Sequence, residues 1–158
     1  MTERGSALAV LATTAGWLGA ALLFAVVVAP AAFAVLPSRS LAGALVGRVL
    51  PTLFWLGLVI GVVVAVLSFR GDGATRRWIA VSGLAMSVAC AAAQLVVAPR
   101  IARLRAAIGP SLEALAADDP RRAAFGRLHA ISVGWLGLAM LAAGVALVAA
   151  ILAARGRG

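Results

Sequence analysis

"PTLFWLGLVIGVVVAVLSF", residues 51–69, carries no charge, and Thr52 and Ser68 are its only hydroxyl side chains. About 20 consecutive apolar residues in helical form cross a hydrocarbon layer, whereas a soluble domain hides such a run only at its centre. The surrounding sequence settles the choice. Three further runs of similar character occur at about 6–29, 78–98 and 131–154. Hydrophobic residues make up 64% of the 158-residue chain and charged residues 12%, with a mean hydropathy of +1.10. Soluble domains are about half apolar and a quarter charged. One core cannot hide this much apolar surface, so the excess must face lipid.

Inside a bilayer the backbone has no water to bond, and at these lengths only helices satisfy it. The expected fold is therefore all-α: an integral membrane four-helix bundle forming a single transmembrane domain over residues 1–158. Pro30 and Pro99 are expected to end the first and third spans, and Pro51 to open the second. The first run, with Arg4 before it and "AFA" at 32–34, has the outline of a signal peptide. Its apolar core exceeds the roughly 7–15 residues of such a segment and reads as a retained span.

The connections carry the charge. Fourteen arginines, no lysine and five acids give a net charge of +9. Because these arginines flank apolar runs, they set topology and meet lipid phosphates rather than nucleic acid. "RGDGATRR" (70–77) is a tight turn that makes spans two and three antiparallel neighbours. Leu41, Leu45 and Val49 recur every four residues, which suits a short interfacial helix before span two. Between spans three and four, Ile101, Leu104 and Ile108 line one face of an amphipathic connection that Gly109-Pro110 breaks. Asp119 then caps a helix whose first residue is Pro120. Arginine density near short ends favours both termini in the cytoplasm of a multi-pass protein of the bacterial inner membrane, whereas the raw count, with eight arginines on the opposite side, favours the reverse. The arginine-only, alanine-rich composition points to GC-rich coding.

Two sets of residues stand out as candidate sites. Gly83, Ser87, Cys90 and Gln94 share one helical face in span three, with Met86 beside it. That stripe is expected to be an interhelical seam, since small residues let helices approach closely. A pathway or soft-metal site is the competing reading. His129, Phe125 and Ser132 share a face where span four enters, and Gln94 and Arg100 leave span three at the same end. Those five residues form a candidate polar cluster. A lone histidine supplies too few ligands for a haem or zinc site within one subunit, and an interfacial anchor is favoured over a ligand. Glu3, Asp72, Glu113, Asp118 and Asp119 all lie outside the spans, which disfavours proton coupling through an intramembrane carboxylate. No catalytic residue, metal set or cofactor motif is indicated, and Cys90 can form no disulfide within the chain. Trp-Leu-Gly recurs at 17–19, 55–57 and 135–137 without wider similarity, so packing explains it better than duplication.

The order of these motifs resembles the transmembrane-protein-205-like family, known in bacteria as a domain of unknown function. The resemblance rests on "VVVAPAAFAVL" (26–36), "AG" (42–43), "VGRVLP" (46–51), "APRI" (98–101) and "FGRLHAIS" (125–132). Members often carry an asparagine about a turn after the serine, where this chain has Leu136. The resemblance implies a four-helix membrane protein. A eukaryotic relative's association with platinum-drug resistance hints at transport, without a substrate or catalytic residue. The expected function is thus a non-enzymatic membrane protein, either a small transporter or a helper. Its partners are the lipid bilayer and a second copy bound through glycine-rich faces. The alternative is a metal- or haem-binding protein using His129, with Met86 and Cys90 as soft ligands.

Overall fold

The computed structural model describes residues 3–69, 73–109 and 112–155. The first part of the 70–77 turn, Pro110 and the closing residues 156–158 lie outside them. Among the described residues the fold is entirely helical, with four rods long and apolar enough to cross a membrane.

The first rod is α1 (Glu3–Leu23), a π-helical turn (Phe24–Val28) and α2 (Ala29–Val35). The second is α3 (Arg39–Phe69). The third is α4 (Ala74–Ala91), a second π-helical turn (Ala92–Val97) and α5 (Ala98–Ile108). A short 3-10 turn (Leu112–Ala114) leads to the fourth rod, α6 (Pro120–Arg155). Neighbours pack in a closed cycle: α1 on α3, α3 on α4, α4 on α6, and α6 on α1. Trp17, Phe54, Met86, Cys90 and Leu136 meet in the main core.

Three boundaries differ from the sequence expectation, and all three involve proline. Pro30 and Pro99 do not end their spans. In each case the residue before the proline bonds five residues back, Ala29 N–H to the Phe24 carbonyl and Ala98 N–H to the Ala93 carbonyl. That wider turn relieves the clash between a proline ring and the preceding turn, so the helix runs on. Pro51 lies inside α3 rather than at its start. The segment expected as a separate interfacial helix therefore forms the first turns of the same rod. Its buried residues there are Ala42 and Val46, while Leu41 and Leu45 face outward.

The charge-free part of α3, Val49–Phe69, spans about 32 Å at 1.5 Å per residue, close to the ~30 Å hydrocarbon layer. Arg48 thus marks one membrane boundary. Beyond it, on the side away from the termini, the rods continue as a stub of about 12–14 Å.

Candidate functional site

The stripe on α4 faces α3. The Ser87 hydroxyl donates to the Leu58 carbonyl at 2.9 Å. A Cβ added to Gly61 would come within 2.5 Å of the Gly83 carbonyl oxygen and would press on the Ser87 hydroxyl. One added to Gly83 would lie 2.8 Å from the Gly61 carbonyl oxygen. Gly57 is equally confined, its absent Cβ 2.6 Å from Cys90 Sγ and 2.8 Å from the Trp17 indole. Two helices can approach to this distance only with glycine on both faces, which puts backbone against backbone. Gly83, Ser87 and Cys90 are spent on that contact.

Gln94 belongs to the π-helical turn, which packs against α3 and α6. Its amide oxygen is buried and accepts no hydrogen bond.

Trp17 shows what the repeated Trp-Leu-Gly does. Its indole N–H donates to the Leu53 carbonyl at 2.9 Å, tying α1 to α3. Trp17 is buried, whereas Trp55 is exposed. Gly57 is tightly packed, whereas Gly19 and Gly137 have open space where a Cβ would be. The three copies therefore do unrelated jobs, as expected of packing rather than duplication.

At the stub, Phe125 and His129 stack with ring centroids 6.4 Å apart and planes within 4°. His129 is exposed and Ser132, one turn further in, is buried. Arg100 is exposed, and no contact joins it to His129. The cation at this cluster is Arg105, whose guanidinium carbon lies 5.4 Å from the Phe125 ring centroid. On its other side Arg105 reaches α3, where a Cβ on Gly43 would lie 2.6 Å from Nη2 and one on Gly47 3.6 Å from Nη1. One side chain of α5 thus bridges α3 and α6. Arg105, which follows Leu104 on the amphipathic connection, is not among the five residues that the sequence brings to this cluster. The Gly-x-x-x-Gly spacing of 43 and 47, with an arginine on the facing segment, was the available signal.

Asp119 caps α6 as its sequence suggests. Its carboxylate accepts from Arg121 N–H at 2.8 Å and from the Arg121 guanidinium at 2.7 Å. The guanidinium bonds first, then the backbone bond, hold this carboxyl below the usual carboxylate range. Arg121 also donates to the Ala107 carbonyl at 3.4 Å, and Arg122 to the Leu115 carbonyl at 3.2 Å, fastening the loop to α6.

Met86 and Cys90 sit in the core beside Leu136. His129, seven residues before Leu136, is about 10 Å further along α6. The structure does not bring these three together, and among the described residues no three His, Cys, Asp or Glu side chains converge.

Four apolar rods in a closed cycle, sealed by glycine contacts and bordered by arginine, define a multi-pass α-helical membrane protein. A family model described as a domain of unknown function (DUF4149) matches residues 12–109, and the chain belongs to that family. No curated protein and no solved structure matches the chain. The matched residues take in the first rod from residue 12 onward, the second and third rods, and both π-helical turns. They stop short of "FGRLHAIS".

Proposed function

We propose that this is a non-enzymatic helper protein of the membrane that acts through helix association, with a second copy as its partner. One contrast carries this reading. Gly57, Gly61 and Gly83 are consumed inside the bundle, while Gly137 and Gly144 floor an open apolar groove of about 860 Å³ along α6. Leu18, Leu22, Trp78 and Leu141 rim it. An apolar groove with a glycine floor lets another helix approach at van der Waals distance, which drives association in lipid. A dimer buries the same groove on both copies, the commonest symmetry for a homo-oligomer.

The polar stripe that would line a transport path is instead closed against α3. Transport along it requires α3 and α4 to part, so the helper reading is preferred. The unpartnered Gln94 amide oxygen is the observation that favours transport as a second reading. Kinship with the transmembrane-protein-205-like proteins, placement in a bacterial inner membrane and cytoplasmic termini belong to this proposal. Use of His129 as a haem or metal ligand is the rival to it. A Soret band or stoichiometric metal in the purified protein would favour that rival.

Cysteine crosslinking in native membranes tests the reading. Leu141 is 70% exposed in the groove, and Leu84 is 51% exposed on α4 outside it. Leu141→Cys should give a crosslinked dimer, and Leu84→Cys should not. Equal crosslinking at both sites, or none at Leu141→Cys, overturns it.

A further inference from the structure

Arg105 sits on the stub at the level of the lipid headgroups, half-buried between α3 and α6. Phe125 takes one side of its guanidinium and the Gly43–Gly47 pair another. A helix surface made of glycine Cα atoms offers no acceptor, and an aromatic ring offers only the weak one of its π face. Among the described side chains and backbone, no carbonyl, hydroxyl or carboxylate accepts from this guanidinium. Guanidinium carries five N–H donors, and partly desolvating them without acceptors is costly. The contacts that hold Arg105 thus fix its position while leaving its donors unused.

The surroundings select the class of acceptor. Arg48 follows Gly47 directly and is exposed, and Arg127 is exposed two residues after Phe125. Asp119 is engaged by Arg121, and Asp118 is exposed in the loop before α6. Among the described side chains the site is therefore cationic, and a forked guanidinium matches the oxygens of a phosphate bidentately. Phosphate groups are also what a bilayer presents at this depth.

We propose that Arg105, seated on Gly43 and Gly47 and stacked on Phe125, is a phosphate-binding site at the membrane surface. It takes either the headgroup phosphate of an anionic lipid or a free phosphate. The site is separate from the α6 groove and stands whether or not the chain dimerises.

Native mass spectrometry of the full chain in neutral detergent tests this, with phosphatidylglycerol, phosphatidylcholine and inorganic phosphate as probes. Wild-type protein should retain one phosphatidylglycerol in preference to phosphatidylcholine. Arg105→Gln should weaken that binding at least about tenfold, the scale of a lost charge-assisted bond. Arg103→Gln should leave it unchanged, since Arg103 is exposed and its Nε bonds the Pro99 carbonyl at 3.4 Å. Gly43→Ala keeps every charge but displaces the guanidinium, and should reproduce the loss at unchanged helical circular dichroism. Displacement by millimolar phosphate identifies a free anion as the ligand, and resistance to it identifies the lipid; both support the site. Equal binding by wild type and Arg105→Gln overturns it. So does an equal loss in Arg103→Gln, or no binding of any probe.

Discussion

Gly61→Ala adds one methyl group at the tightest contact between α3 and α4. The new Cβ would lie 2.5 Å from the Gly83 carbonyl oxygen and 2.9 Å from the Ser87 amide nitrogen, both backbone atoms that no rotamer change can move. The helices must separate, and overpacking of this kind costs about 1–3 kcal/mol. Separation also stretches the 2.9 Å bond from Ser87 to the Leu58 carbonyl, worth about 0.6–1.7 kcal/mol within a membrane. Alanine's better helix propensity returns up to about 1 kcal/mol. Gly16→Ala is the matched control, because a Cβ there meets nothing within 4 Å and only the propensity gain applies. The propensity gain is common to both variants, so they should differ by the sum of the two costs, about 1.6–4.7 kcal/mol. Reversible unfolding in mixed neutral-detergent and dodecyl-sulfate micelles, followed by circular dichroism, measures the difference. If Gly61→Ala unfolds with wild type, or Gly16→Ala loses as much, the close-contact account of the α3–α4 seam is wrong.

Two further outcomes follow from single contacts. Trp17→Phe keeps an aromatic ring beside Gly57 but loses the indole bond to Leu53, and should cost about 1 kcal/mol in the same micelle titration. At α6, the Asp119 carboxyl titrates below its unfolded value, so its cap is fully present above the ordinary carboxylate range. The cap is lost as pH falls through the lowered value. Protection factors for hydrogen exchange at residues 121–124, corrected for the intrinsic rate at each pH, should therefore fall in acid in wild type, while Asp119→Asn, a capping residue without a charge to titrate, should show no such step.

Periodic features of the sequence located their partners well, and side-chain reach did not. Four apolar runs give four rods because length and polarity alone decide whether a helix is stable in lipid. The i, i+4, i+7 spacing puts Gly83, Ser87 and Cys90 on one face, and the contact with α3 lies there. Asp119-Pro120 marks the start of α6 because a cap is a local bond between adjacent residues. Arg100 was expected near His129 because both leave the membrane at one end. Arg105 is the residue found there, since one more turn and a half of helix and a long side chain carry its guanidinium to Phe125. Nothing in the spacing along one segment reveals which residue of another segment it will reach. Gln94 belongs to the same difficulty: it lies within a π-helical turn that adds a residue to the repeat, so regular helical spacing no longer fixes the face it takes.

The three prolines bring fold and site together. In water, a proline within an apolar run is a sound place to end a helix, because the freed backbone groups can bond solvent. In lipid each freed group costs several kcal/mol, so ending the helix there is more expensive than the ~3 kcal/mol of carrying a proline through it. The chain carries Pro30 and Pro99 through on i to i−5 bonds from the preceding alanines. Continuation past Pro99 is also what builds the cationic notch. Because α5 continues the line of α4, Arg105 rises along the bundle instead of turning away over the membrane surface. Because α3 likewise runs unbroken from Arg39 through Pro51, Gly43 and Gly47 stand at the matching height. The meeting of Arg105 with those glycines and with Phe125 is thus a product of the bilayer's intolerance of broken backbone.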